Sequence, residues 1–160
     1  MILTTVTTFE KIWLPTNEYH KIEVANKRER RSIYGFLNLK NGYEHAFKTE
    51  KQNMYETCNV LKKIRKFYPN KKILLLWDGA GWHRGSAVTE FIENDGSIKA
   101  YHFPPYAPEL NPQEHVWKKG REAITHNVFI EKIDKTTDAF VEFLNDTIFN
   151  YRLFEYGPVS

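Results

Sequence analysis

An unbroken apolar run, Ile73-Leu74-Leu75-Leu76-Trp77, closes on Asp78 and then on Gly79-Ala80-Gly81. The run is too short for an ordinary helix and sits between Pro69-Asn70 and a glycine-rich turn, so it reads as a strand over Lys71–Asp78. The absence of alternation predicts burial on both faces, as in a central parallel strand. Sites in open α/β sheets lie beyond the carboxyl ends of such strands. Asp78 occupies that end, and Gly79 and Gly81 leave the turn open to a close approach. Taken alone, the residue reads equally well as a turn-forming aspartate.

The rest of the chain surrounds this strand with an alternating pattern. Residues 2–14 are rich in β-branched and aromatic types and read as extended, and residues 15–30 as a polar loop or edge. Ser32–Leu39 and Tyr43–Lys48 form a hairpin across Asn41-Gly42. Asn53 opens a helix with Glu56 in capping-box position, and Met54, Cys58, Leu61, Ile64 and Tyr68 recur at helical spacing. Ser86 is placed to cap a helix that Asp95-Gly96 stops. Ile98–Phe103 is a further strand, ended by Pro104 and Pro105. A helix from Asn111-Pro112 reaches about His126, and an amphipathic helix runs from Thr136 to Leu153 with Phe140, Phe143, Leu144, Thr147, Ile148 and Tyr151 on one side. The chain is therefore α/β: a mixed sheet with helices on both faces. This order fits the ribonuclease-H-like fold, and other α/β folds as well.

Glu114 is the second carboxylate of interest. In Asn111-Pro112-Gln113-Glu114, Asn111 is a good N-cap, Pro112 suits the first helical position, and Glu114 falls in the first turn, where the helix dipole favours an acid. Capping explains much of this pattern. The same geometry would also hold a carboxylate rigidly, with Lys118 and Arg121 along one edge of the helix and Val116, Trp117, Gly120, Ala123 and Ile124 on its buried side. Two carboxylates so placed can hold divalent cations beside a phosphodiester. The net charge of +3 does not by itself mark a nucleic-acid binder, but the cations cluster: Lys27, Arg28, Arg30 and Arg31; Lys62, Lys63, Arg65 and Lys66; Lys118, Lys119 and Arg121. Each cluster alone reads as a solvated face. His83 and Arg84 stand next to Asp78 as candidate phosphate or DNA contacts, His83 equally as a structural residue. A zinc site built from Asp78, His83, His102 and His115 fits no standard spacing. The single cysteine, Cys58, excludes an internal disulfide and suits a reducing compartment. No segment has the length and apolarity of a membrane span.

Two motifs carry a resemblance to a known family. Asp78, Ala80 and His83 in WDGAGWHRG, and Pro104, Pro105, Tyr106, Ala107, Pro108, Leu110, Asn111, Pro112, Glu114 and Trp117 in FPPYAPELNPQEHVW, resemble the mariner superfamily of DDE transposases, in its bacterial insertion-sequence branch. Upstream, Trp13, Pro15, Lys27, Arg28, Arg30 and SIYGFLNLKNG resemble the family's segment between its first and second acids. The resemblance implies a ribonuclease-H-like catalytic domain over residues 1–160, with Asp78 as the second catalytic acid and Glu114 as the third. It implies a two-metal Mg²⁺ (or Mn²⁺) site, cleavage at transposon ends followed by strand transfer, double-stranded DNA as substrate and target, a homodimer on paired ends, and a bacterial cytoplasmic, nucleoid-associated location.

The sequence departs from the family pattern in two respects. The family's first acid falls at or before Met1; no Asp precedes Asp78, and Glu10 is the only acid ahead of Trp13. The family's helix-turn-helix domains have no counterpart here. The chain is therefore expected to be an N-terminally truncated downstream piece with little transposition activity of its own. The alternatives are a non-catalytic DNA-binding relic and another nuclease of the ribonuclease-H-like fold.

Overall fold

The computed structural model describes residues 1–5, 15, 16, 18, 21, 28–104 and 108–151. Within them lie β1 (Ile2–Thr4), β2 (Arg30–Leu37), β3 (Glu44–Thr49), α1 (Met54–Phe67), β4 (Ile73–Trp77), α2 (Ser86–Asp95), β5 (Ile98–His102), α3 (Pro112–Ile124) and α4 (Ile133–Asp146). Strands β1, β2 and β3 form an antiparallel sheet in that order, and β4 and β5 pair in parallel. Both strand senses of the expected mixed sheet are present. Among the described residues they hydrogen-bond as two sheets.

Strand β2 organises the core because it is covered on both sides. Ile33 and Leu37 face a cluster built with Val116, Trp117, Phe140 and Leu144 from α3 and α4. Tyr34 and Phe36 face the other way: the Tyr34 hydroxyl meets Thr57 Oγ1 of α1 at 3.1 Å, and Phe36 packs against the Leu61, Leu75, Trp77 and Val88 cluster. Helices thus lie on both faces, as the sequence predicts.

Burial on both faces was expected of β4, and the structure corrects this. Leu75 and Trp77 are buried, whereas Leu74 is 64% exposed. Helices α1 and α2 cover one side of the β4–β5 pair, and among the described residues Leu74 and Tyr101 of the other side stay open. An all-apolar run reports strand tendency but not how many layers cover the strand.

Several boundaries also move. Asn53 caps α1 as expected, its Oδ1 accepting the Glu56 amide at 2.9 Å. Ser86 does not cap α2; Gly85 does, because a Cβ there would stand 2.7 Å from the Met54 side chain at the start of α1. Ala123 is exposed rather than on the buried side of α3. The last helix ends at Asp146, not Leu153. Just before that end, Asn145 turns its side-chain amide onto β3, accepting from Ala46 N at 2.7 Å and donating to Ala46 O at 3.2 Å. The chain then runs extended, and Ile148 bridges to Tyr43. Thr147, Ile148 and Tyr151 of the expected stripe therefore lie beyond the helix, with Ile148 53% exposed. The extended reading of residues 2–14 holds for Ile2–Thr4, and residues 6–14 lie outside the described residues.

Candidate active site

Asp78 follows directly on β4, at the carboxyl end where the parallel pair opens. Its Oδ1 accepts the Ala80 amide at 3.0 Å and lies 2.9 Å from His83 Nδ1. The His83 hydrogen bond is the main reason the Asp78 carboxyl is held below its usual range; burial works against it and the Ala80 amide adds to it. The turn that makes this possible is a 3-10 segment, Gly81–His83. The His83 ring is stacked on Trp77 at 4.5 Å between centroids with 3° between planes. Its imidazole is thus pinned between a core tryptophan and the aspartate, which leaves Asp78 Oδ2 free of hydrogen bonds among the described residues.

Glu114 stands in the first turn of α3. Asn111 caps that turn, accepting the Gln113 amide at 3.1 Å, and its carbonyl accepts the Glu114 amide at 3.0 Å. The Glu114 carboxylate is exposed and makes no hydrogen bond or ion pair among the described residues. Lys118 pairs instead with Glu122, at 3.8 Å.

Both carboxylates lie near Met1. Its α-amino group donates to Ile33 O at 2.7 Å and lies within electrostatic range of both Glu114 and Asp78. Burial lowers that amine to about 6, against the pull of the two carboxylates. Arg121 reaches the same place, its Nη1 3.4 Å from Met1 Sδ. Free carboxylate oxygens on two rigid elements are the donor chemistry of a hard divalent cation. The set fits such a cation in kind and falls short in number: no group of three or more His, Cys, Asp or Glu side chains suited to a metal occurs among the described residues. Glu10 lies outside them.

Residues 2–137 match the model of the family described as DDE superfamily endonuclease. The chain belongs to this family. Among solved structures, the Mos1 transposase paired-end complex with left transposon end aligns over 94% of this chain and 47% of that one, with a TM-score of 0.68 and 12% identity. The Mos1 mariner paired end complex with Mn aligns over 92% and 47% (TM-score 0.65, 12% identity). The catalytic domain of Mos1 mariner transposase aligns over 74% and 63% (TM-score 0.54, 14% identity). At these identities the likeness establishes the fold, which is ribonuclease-H-like. The uncharacterized protein y4pE/y4sA of Sinorhizobium fredii (strain NBRC 101917 / NGR234) is 36% identical over 61 residues, 38% of this chain and 42% of that protein. The chain spans less than half the length of that relative and of the Mos1 chain in the left-end complex.

Exposure and pairing sort the remaining candidates. Arg84 is exposed and lies across the Asp78 turn: a Cβ on Gly79 would be 2.8 Å from its Nη2. Lys118 and Lys119 are exposed, Lys119 sitting over the Tyr151 ring at 5.8 Å. Arg28, ahead of β2, and Arg30, its first residue, are exposed, and Lys27 lies outside the described residues. Arg31 is committed elsewhere, in a two-pronged pair with Asp134 at 2.7 Å for each bond. Arg65, in the middle cationic cluster, is structural: it holds Asp95 at 2.6 and 2.8 Å and the carbonyls of Tyr68 and Lys71. Of the proline motif, Pro104 ends β5, Pro108 begins a 3-10 turn, and Asn111, Pro112 and Trp117 build α3 as expected; Pro105 and Tyr106 lie outside the described residues. No helix among the described residues is long and apolar enough to cross a membrane.

Sequence reasoning missed Glu44. It is 2% exposed on β3, and its Oε1 accepts from Gln113 Nε2 at 2.7 Å. Burial pushes its carboxyl up to about 8, against the opposing effect of the Gln113 side chain and the Phe36 backbone amide. One signal was readable: on a strand that alternates buried and partly exposed residues, Glu44 falls on the same face as Ala46, which is buried against α4.

Proposed function

We propose that this chain is the catalytic domain of a DDE transposase, acting on phosphodiester bonds of double-stranded DNA at transposon ends by cleavage and strand transfer. The observation that supports this best is the pairing of Asp78, at the carboxyl end of a parallel strand with one oxygen pinned and the other free, with Glu114 on the first turn of α3. Asp78 and Glu114 would hold Mg²⁺ or Mn²⁺, in a two-metal arrangement on the family pattern. When bound, such a cation supplies Lewis acidity at the scissile phosphate and lowers the pKa of an attacking water or 3′-hydroxyl.

The rest of the work falls to the chain's own residues. His83 orients Asp78 and keeps its carboxyl ionised. Asp78 and Glu114 would present free carboxylate oxygens to that cation. Arg84, Lys118 and Lys119 offer exposed positive charge to DNA phosphates around the pair. No side-chain nucleophile is needed, since attack by water or a 3′-hydroxyl is direct. A dimer on paired ends and a bacterial cytoplasmic setting belong to the same reading.

Two carboxylates leave a metal pair short of oxygen ligands, so this chain is expected to bind Mn²⁺ weakly and to cleave DNA little on its own. The test is Mn²⁺ titration of the purified chain, followed by electron paramagnetic resonance, beside a plasmid-nicking assay. Weak binding that disappears in Asp78→Asn and in Glu114→Gln supports the assignment. Robust Mg²⁺-dependent cleavage abolished by Asp78→Ala would overturn the expected low activity. Salt-sensitive DNA binding with no metal binding, and no response to either substitution, would favour a binding relic.

A further inference from the structure

The Glu114 carboxylate is held by nothing but the helix that carries it, since it makes no hydrogen bond or ion pair of its own among the described residues. Its position is therefore inherited from the rotation and seating of α3. Two residues of α3 touch the sheet at the site end: Gln113, next to Glu114, and Trp117, one turn on. Both converge on one spot above Gly35 of β2. A Cβ at Gly35 would fall 2.2 Å from Glu44 Oε1, 2.3 Å from the Trp117 ring and 2.5 Å from Gln113 Nε2. The helix thus rests on bare backbone, and Glu44 is the side chain that meets it there. Glu44 Oε1 takes the Gln113 hydrogen bond, while its buried Oε2 has no partner among the described residues.

We propose that Glu44 is a positioning residue for Glu114: through Gln113 it fixes the rotation of the first turn of α3 and so the direction of the site carboxylate. Successive helical residues are about 100° apart, so a small rotation about the axis swings Glu114 away from Asp78. A polar anchor restricts that rotation more than apolar contact does, because a hydrogen bond is directional. Val116, Trp117 and Gly120 seat the body of the helix, and the Gln113–Glu44 bond is the directional contact at its first turn. Gly35 is the necessary counterpart, since any side chain there would lift the helix from its anchor.

This inference rests on Glu114 being a site carboxylate, and the experiment separates the two. Hydrogen exchange is measured on the full chain at the Glu114 and Val116 amides, with Phe140 and Leu144 of α4 as reference, and Mn²⁺ affinity is measured in parallel. In Glu44→Met, exchange at Glu114 and Val116 should rise about tenfold with α4 unchanged, and Mn²⁺ affinity should fall about tenfold, the low end for a residue that orients a ligand. Glu44→Gln keeps an acceptor for Gln113 and should restore both readouts. Gln113→Met removes the same bond from the helix side and decides the matter if Glu44→Met does not fold. The proposal is overturned if neither Met variant loosens the first turn, if Glu44→Gln is as damaged as Glu44→Met, or if α4 loosens equally. Absence of Mn²⁺ binding in the unmodified chain would sink the metal reading and leave the exchange result to judge the positioning role.

Discussion

Glu44→Gln should raise the stability of this protein in alkaline solution and leave it nearly unchanged in acid. Burial raises the Glu44 carboxyl from 4.5 to about 8 in the folded state. Below about pH 4.5 both folded and unfolded chains carry the proton, and the group has no effect on the balance. Between 4.5 and 8 the unfolded chain releases its proton and the folded chain does not. Folding then takes up a proton, so stability falls as pH rises through this window. At about 1.4 kcal/mol per unit, the loss approaches about 4–5 kcal/mol by pH 8. That is a large share of the roughly 5–15 kcal/mol that holds a domain together. Glutamine has the same shape and the same acceptor for Gln113, and does not titrate. Urea unfolding of both proteins, followed by tryptophan fluorescence from pH 5 to 8.5, gives the difference at each pH and cancels every other titration. The difference should be small at pH 5 and grow by at least about 2 kcal/mol toward pH 8, allowing for relaxation around an ionised Glu44. A difference that stays flat over the whole range would refute the view that Glu44 is buried as an acid.

The other expectations concern packing, pairing and DNA. Asp95→Ala should cost about 2 kcal/mol in urea unfolding, because it removes the charged partner of Arg65, whose side chain is 18% exposed and keeps its bonds to the Tyr68 and Lys71 carbonyls. Gly120→Ala should lower stability by about 1–3 kcal/mol in the same assay, since the new methyl would lie 2.5 Å from the Phe140 ring. In fluorescence-anisotropy titrations of duplex DNA over a KCl series, Arg84→Ala and Lys119→Ala should each reduce the salt slope by about 1. Arg31→Ala should leave that slope unchanged because its guanidinium is already matched by Asp134. Equal losses in Arg31→Ala and Arg84→Ala would mean that this sorting of the cations is wrong.

The parts of this molecule legible in the sequence are those set by local chemistry. Asn53 and Asn111 announce their helices because a side-chain oxygen and a backbone amide two or three residues on suffice to start a turn. The Asp78 position was readable for a similar reason: an apolar strand followed by glycines must end there. Non-local contacts were not readable. Leu74 looks like core and is exposed, because coverage of a strand depends on which helices return to it. Arg31 and Arg65 look like solvated or phosphate-facing charge, yet each found its carboxylate far along the chain, at Asp134 and Asp95. Strand alternation puts Glu44 on the buried face, but its role was not readable, because the Gln113 bond that gives it one crosses from β3 to α3. His83 sat between two readings until the ring stack on Trp77 fixed which way it faces.

The Asn145 side chain has a consequence beyond ending α4. β3 is the outer strand of its sheet, with one row of backbone groups turned away from β2. Such a row is a template on which a foreign strand can pair. Asn145 presents an amide to Ala46 just as a neighbouring strand would, acceptor to N–H and donor to carbonyl, and the Tyr43–Ile148 bridge closes the same margin nearer its turn. At Ala46 and Tyr43 the margin is occupied from within, and those backbone groups are not available to a foreign strand.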